Sequence, residues 1–205
     1  MEKLAIKPFM LLLFLFVGSN IIAQEVKYKG SGYYYDLLSK KHVGEVNLKL
    51  ASWGSFDSYK VASIKFKSEK SDKKTVSVKE ISSMVIEKDS FIVVDNFEIS
   101  RKDLAEQSIL LEKEFLKVSA VGKITIYQQF FNNVAEQTVY TKELAVKNGD
   151  TTSLRSGYGF YVDKEIILGL IRDDMELYQE WNEKKKSEFR KSYLTMVSIY
   201  NERNR

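Results

Sequence analysis

Near its start the chain has an unbroken apolar run, Phe9–Val17, and then changes to a pattern in which apolar and polar residues alternate. Alternation at a period of two places successive side chains on opposite faces of a strand. It predicts strands around Val26–Lys29 and Tyr33-Tyr34-Tyr35, then Val43–Leu50, Val61–Lys67, Thr75–Ser77, Val85-Ile86, Phe91–Val94, Phe115–Val118, Lys123–Phe131 and Thr138–Lys147. Gly30-Ser31-Gly32 loosens the first of these. Gly54-Ser55, Lys88-Asp89, Asn132-Asn133 and Asn148-Gly149-Asp150 read as turns, because Gly, Asn and Asp tolerate the backbone angles that turns demand. Val78–Met84 reads as a helical turn, Ser68–Lys74 as a charged loop and Ser100–Ser108 as irregular or a short helix.

Near Gly157–Asp163 the period changes from two to that of a helix. Asp163 is placed to cap a helix carrying Ile166, Ile167, Leu170 and Ile171. Asp173-Asp174 can cap a second with Leu177, Tyr178 and Trp181, and Lys184-Lys185-Lys186 at its far end suits the helix dipole. Ser187 is expected to cap a third, whose Phe189, Tyr193, Met196, Val197 and Tyr200 form one apolar stripe. The fold class is therefore α+β. An antiparallel, β-rich body over 24–156, built as a rolled sheet, sandwich or partial barrel, precedes about three helices over 157–205 that pack on it.

Residues 1–23 are expected to be a signal peptide. Lys3 and Lys7 precede the nine-residue apolar run, Gly18-Ser19-Asn20 breaks it, and Ala23 offers a small residue at the cleavage point. A signal core spans roughly 7–15 residues, whereas a membrane-crossing helix needs about 20. The chain contains no cysteine, which excludes a lipid anchor after the apolar run, disulfides and thiolate zinc sites. Removing 23 of 205 residues leaves about 182, enough for a single α+β domain over 24–205. The net charge of +4 drops to +3, since that segment carries two lysines and one glutamate. So mild a balance argues against nucleic acid as a partner. No transmembrane segment is expected after removal of the signal, and the location expected is periplasmic or extracellular.

Candidate chemistry is sparse. His42 is the only histidine and lies in Lys40-Lys41-His42, where nothing marks a nucleophile and a third group for a triad. Asp173, Asp174 and Glu176 are close enough for acid–base work, but acidic residues are also what a helix start favours. Gly157-Tyr158-Gly159 lacks the context of a phosphate loop. No cofactor is implied.

Aromatic residues are abundant, among them Trp53, Phe56, Tyr59, Phe131, Tyr158 and Phe160. Three consecutive tyrosines cannot share one face of a strand. If Tyr33 and Tyr35 point inward, Tyr34 faces solvent, a partner or the helices, so this triplet is the candidate partner or ligand surface. Exposed aromatics stack on sugars or anchor protein contacts, and an envelope protein or a glycan is the partner class that follows. The functional expectation is an exported, non-enzymatic binding or scaffold protein. An envelope hydrolase using Asp/Glu chemistry on glycan or peptide, and an accessory subunit of an envelope complex, are the alternatives.

Several short segments carry a resemblance. The leader ends Ile22-Ala23-Gln24. Ile64-Lys65-Phe66-Lys67, Ser77-Val78-Lys79-Glu80-Ile81 before Asp89-Ser90-Phe91, and Phe115-Leu116-Lys117-Val118 before Gly122-Lys123-Ile124-Thr125-Ile126-Tyr127 follow in order, up to Met196-Val197-Ser198-Ile199-Tyr200-Asn201. In these the chain resembles a group of exported, uncharacterised proteins of Bacteroidetes. The resemblance implies a periplasmic or outer-surface location and supplies no activity.

Overall fold

The computed structural model describes residues 27–49, 63–69, 71–99, 109–133, 138–155 and 161–205. The leader, Trp53, Gly54-Ser55, Phe56, Tyr59, Ser100–Ser108 and Gly157–Phe160 lie outside the described residues, as does the Phe131 side chain. Twelve strands come first: β1 (Lys27–Asp36), β2 (Lys41–Lys49), β3 (Ser63–Lys67), β4 (Lys74–Ser77), β5 (Ile81–Ile86), β6 (Asp89–Val94), β7 (Phe97–Ile99), β8 (Ile109–Leu111), β9 (Glu114–Ala120), β10 (Ile124–Asn133), β11 (Thr138–Lys147) and β12 (Asp150–Ser153). Three helices follow: α1 (Lys164–Leu170), α2 (Met175–Asn182) and α3 (Lys186–Arg203).

Ten strands form one antiparallel sheet in the order β12-β11-β10-β9-β6-β5-β1-β2-β3-β4, and β7 pairs with β8 as a separate ribbon. The sheet does not close into a barrel, but it is strongly rolled. Four strand spacings separate β1 from β10, roughly 19 Å on a flat sheet. Yet the rings of Tyr28 and Phe130 on those strands lie 5.9 Å apart. The bend is made where Gly32 pairs with Gly44. A Cβ on Gly32 would meet the Val85 carbonyl at 2.0 Å, and one on Gly44 the Lys67 carbonyl at 2.2 Å. Glycine in a strand marks such a close backbone approach. The Gly30–Gly32 segment is thus continuous strand, and Gly32 serves its curvature.

The hollow of the roll holds Tyr34, Val46, Leu48, Ile64, Phe66, Met84, Phe91, Phe115 and Phe130. Farther along the same side of β10, Ile124 and Ile126 join Ala145 of β11 beneath the three helices. Ile167, Leu168 and Ile171 of α1, Leu177 and Trp181 of α2, and Phe189, Met196, Val197 and Tyr200 of α3 complete that second core. The β7–β8 ribbon covers part of the opposite face, placing Phe97 and Leu111 on Leu116, Tyr127 and Leu144.

Four local expectations need correction. Val78–Glu80 is a 3-10 turn closed by a Ser77/Glu80 capping box, and Ile81–Ile86 is already strand, with Ile81, Met84 and Ile86 in the core. The β5–β6 turn is Glu87-Lys88, because Asp89 pairs across from Ile86 and its carboxylate bonds Lys117 at 2.8 Å. Asn132-Asn133 continues β10, the connection to β11 falling outside the described residues. Lys185, not Ser187, is the N-cap of α3, and no side chain caps that end. By contrast Asn148 and Gly149 take φ of 54° and 87° in a two-residue turn between β11 and β12, the geometry Asn-Gly favours. Asp163 and Asp174 cap α1 and α2.

Candidate functional site

The β1–β2 hairpin carries the tyrosine triplet and the histidine. Tyr34 lies opposite His42 and Met84, whereas Tyr33 lies opposite Val43 and Val85, and Tyr35 opposite Lys41 and Ser83. Val46 and Leu48, in phase with His42 on β2, fill the hollow and fix which way the alternation points. Tyr34 is therefore the inward residue, 2% exposed, and Tyr33 and Tyr35 are half-buried on the outer face. This reverses the expectation that the outer two point in. Alternation specifies that one tyrosine opposes the other two; only the pairing partners set its phase.

Inside, Tyr34 stacks on the His42 imidazole with centroids 4.6 Å apart and meets Phe66 edge-on at 5.0 Å. His42 Nε2 lies 2.9 Å from Asp36 Oδ2. The second Asp36 oxygen accepts from the backbone N–H of Leu38 and of Lys40, both at 2.9 Å. These bonds, that of His42 first, hold the Asp36 carboxyl below its usual range. Asp36 is thereby the clasp of the hairpin end. Its backbone N–H also donates to Lys40 O, and its carbonyl accepts from Ser39 N. The nearby Ser82 hydroxyl donates to the carbonyls of Tyr35 and Asp36. His42 is thus part of a structural clasp.

Outside, the Tyr33 and Tyr35 rings meet edge-on at 5.6 Å, and the Lys41 ammonium lies 3.8 Å from the Tyr33 ring centroid. Val43 beside them is 64% exposed. At the extremity Leu37 is 59% exposed and Leu38 90%. The alternation pattern missed these two leucines. The signal that reveals them is an apolar pair sitting between Asp36 and Ser39-Lys40-Lys41, inside a turn.

The acidic residues are committed elsewhere. Asp173 accepts from the Lys147 ammonium at 2.9 and 3.0 Å and from the Tyr200 hydroxyl at 2.8 Å. Lys147 also donates to Leu170 O at the end of α1. Burial opposes the charge on Asp173, but these hydrogen bonds outweigh it and keep the carboxyl below its ordinary range. Lys147 is raised: burial opposes its charge, and Tyr200 and Asp173 overcome that. Burial pushes the Tyr200 phenol up, with Asp173 assisting and Lys147 opposing. The cluster ties β11, α1 and α3 together.

Asp174 and Glu176 both face Arg203 Nη1 at 3.4 Å. Glu143 and Arg155 form a buried pair at 2.7 Å under Tyr193. Burial first, then the Glu143 charge, push the Tyr193 phenol up. Among the described residues no group of three His, Asp or Glu side chains is arranged to hold a metal ion, and no helix is long and apolar enough to cross a membrane.

A cleft of about 490 Å³ lies between the β9–β10 turn and the end of α3, lined by Ser119, Val121, Lys123, Leu194, Asn201 and Arg205. Asn201 is spent on the fold there, accepting from Ile124 N at 2.8 Å and donating to Ile124 O at 2.7 Å. No family model matches the chain, and no curated protein or solved structure matches it.

Proposed function

We propose that the chain is an exported, non-enzymatic binding or scaffold protein of a bacterial envelope, of the Bacteroidetes type its short segments resemble, and that the free end of the β1–β2 hairpin is its contact surface. The observation that carries this reading is the rigid presentation there of Leu37, Leu38, Tyr33, Tyr35, Lys41 and Val43. Exposed leucines and valines are ordinary when scattered. Here they lie together on a clasped hairpin, with two tyrosines and a cation beside them. A contact surface fixed before binding loses little conformational entropy when it binds. Export is supported by the order of Lys3 and Lys7, the nine-residue apolar run and Ala23.

The test has two arms. Amino-terminal sequencing of protein recovered from the envelope or medium should read from close to Gln24. A photo-crosslinking amino acid at position 38 or 43, introduced in the producing cell, should capture an envelope component. The same probe at the exposed Gln179 of α2 should capture none. Equal capture from both places, or an uncleaved cytoplasmic product, would overturn the proposal.

A further inference from the structure

The hairpin end has an apolar extremity and, behind it, a tier in which lysines and tyrosines lie side by side. Leu37 and Leu38 come first, with Leu38 almost fully in solvent. Lys40 and Lys41 follow, both exposed, and the Lys74 ammonium approaches the hairpin from β4, 5.9 Å from the Tyr34 ring. Tyr35 lies level with Lys41, and Tyr33 two residues further back, about 7 Å along the strand. The one carboxylate of the hairpin end, Asp36, is turned back onto His42 and two backbone N–H groups.

An apolar tip backed by one tier of lysines and tyrosines matches the two layers a bilayer presents, acyl chains and then an interface where phosphates meet cations and tyrosine accumulates. We infer that this end of the molecule docks on an anionic lipid bilayer. Leu37 and Leu38 enter the boundary of the acyl region, Lys40 and Lys41 meet lipid phosphates, and Tyr33 and Tyr35 sit at headgroup level. The inference rests on the contact surface proposed above and names its partner. It requires no spanning segment, because a short apolar element backed by cations binds reversibly to the interface. It also gives the clasp a purpose. Four hydrogen bonds around Asp36 hold the leucines out, where a mobile loop would fold them back.

Flotation with vesicles tests it, using protein expressed from the full chain so that every variant shares one amino terminus. Wild type should float with phosphatidylethanolamine–phosphatidylglycerol vesicles and release as salt rises, since exposed charges are screened. It should not float with phosphatidylcholine alone. L37D/L38D and K40E/K41E should each weaken binding about tenfold or more. Both pairs are exposed, so far-ultraviolet circular dichroism should match wild type. V121D changes an exposed apolar residue of the β9–β10 turn, at the opposite end of the sheet, and should bind as wild type. Wild-type flotation of L37D/L38D, or equal flotation on neutral vesicles, overturns the inference. No flotation, with a protein captured by the probe at position 38, removes the lipid and leaves the contact function standing; capture of neither removes both.

Discussion

Asp173 and Asp174 are adjacent and identical, and a helix start accounts for either. The structure divides their work. Asp174 accepts from Leu177 N as the cap of α2, while Asp173 reaches across to Lys147 and Tyr200. That division was not legible, because it depends on residues 26 and 27 positions away. It has a consequence for pH. Asp173 titrates below its ordinary 3.8 in the folded chain, so its stabilisation is complete above that value and is lost as pH falls through the lower folded value. Lys147 titrates above its ordinary 10.5, so its contribution is complete below 10.5 and disappears as pH rises through the higher folded value. D173N should lower neutral-pH stability by about 1 kcal/mol, a modest figure because the carboxylate is half exposed and screened by solvent. Its urea midpoint should then fall less steeply than wild type below about pH 4, having no carboxylate there to protonate. Parallel acid limbs for the two proteins would show that Asp173 is not the group responsible.

At the scale of elements, the sequence is legible where one strong local signal exists. Asp163 and Asp174 locate two helix starts, and Asn148-Gly149 locates a hairpin. It is not legible where packing overrides local preference. Ser187 is a better cap residue than lysine, yet α3 begins at Lys186. The carbonyls of Asn182 and Lys184 at the end of α2 are held by the Lys164 ammonium, which fixes where the chain can turn. The first turn of α3 is left without a side-chain cap, and Lys185 sits at the cap position with φ −62° and ψ 147°, the extended conformation a cap residue uses. K185S should therefore stabilise the protein by about 0.5–1 kcal/mol, by giving an N–H of the first turn an acceptor and removing a positive charge from the positive end of the helix dipole. Equilibrium unfolding in urea measures this as a higher midpoint with an unchanged slope. A lower midpoint would mean that the Lys185 side chain makes a contact worth more than a cap.

At the scale of the molecule, the β-then-α order was legible from the change of period, but the roll of the sheet was not. Curvature arises from the Gly32–Gly44 pairing and from Tyr28 reaching Phe130, contacts that no local pattern encodes. The roll and the helices give the protein two apolar centres, one in the hollow of the sheet and one beneath α1–α3. Both rest on one side of β10: Ile124 and Ile126 serve the helix-covered centre, Phe130 the hollow. Its neighbour β11 places Ala145 in the helix-covered centre and Glu143, in the buried pair with Arg155, two residues along the same side. A strand that belongs to both centres cannot leave one without disturbing the other, so the two should melt together. Met84→Ala in the hollow and Ile126→Ala under the helices each remove a fully buried side chain, and each should cost about 2–5 kcal/mol. Both should shift one transition, followed in a Trp53→Phe background by far-ultraviolet circular dichroism at the β-sheet band for the sheet and by Trp181 fluorescence for the helices, without separating the two signals. If Ile126→Ala instead lets the Trp181 signal melt first while the sheet signal stays at the wild-type midpoint, then β10 does not couple the centres, and the helices are a separable layer on an independently stable sheet.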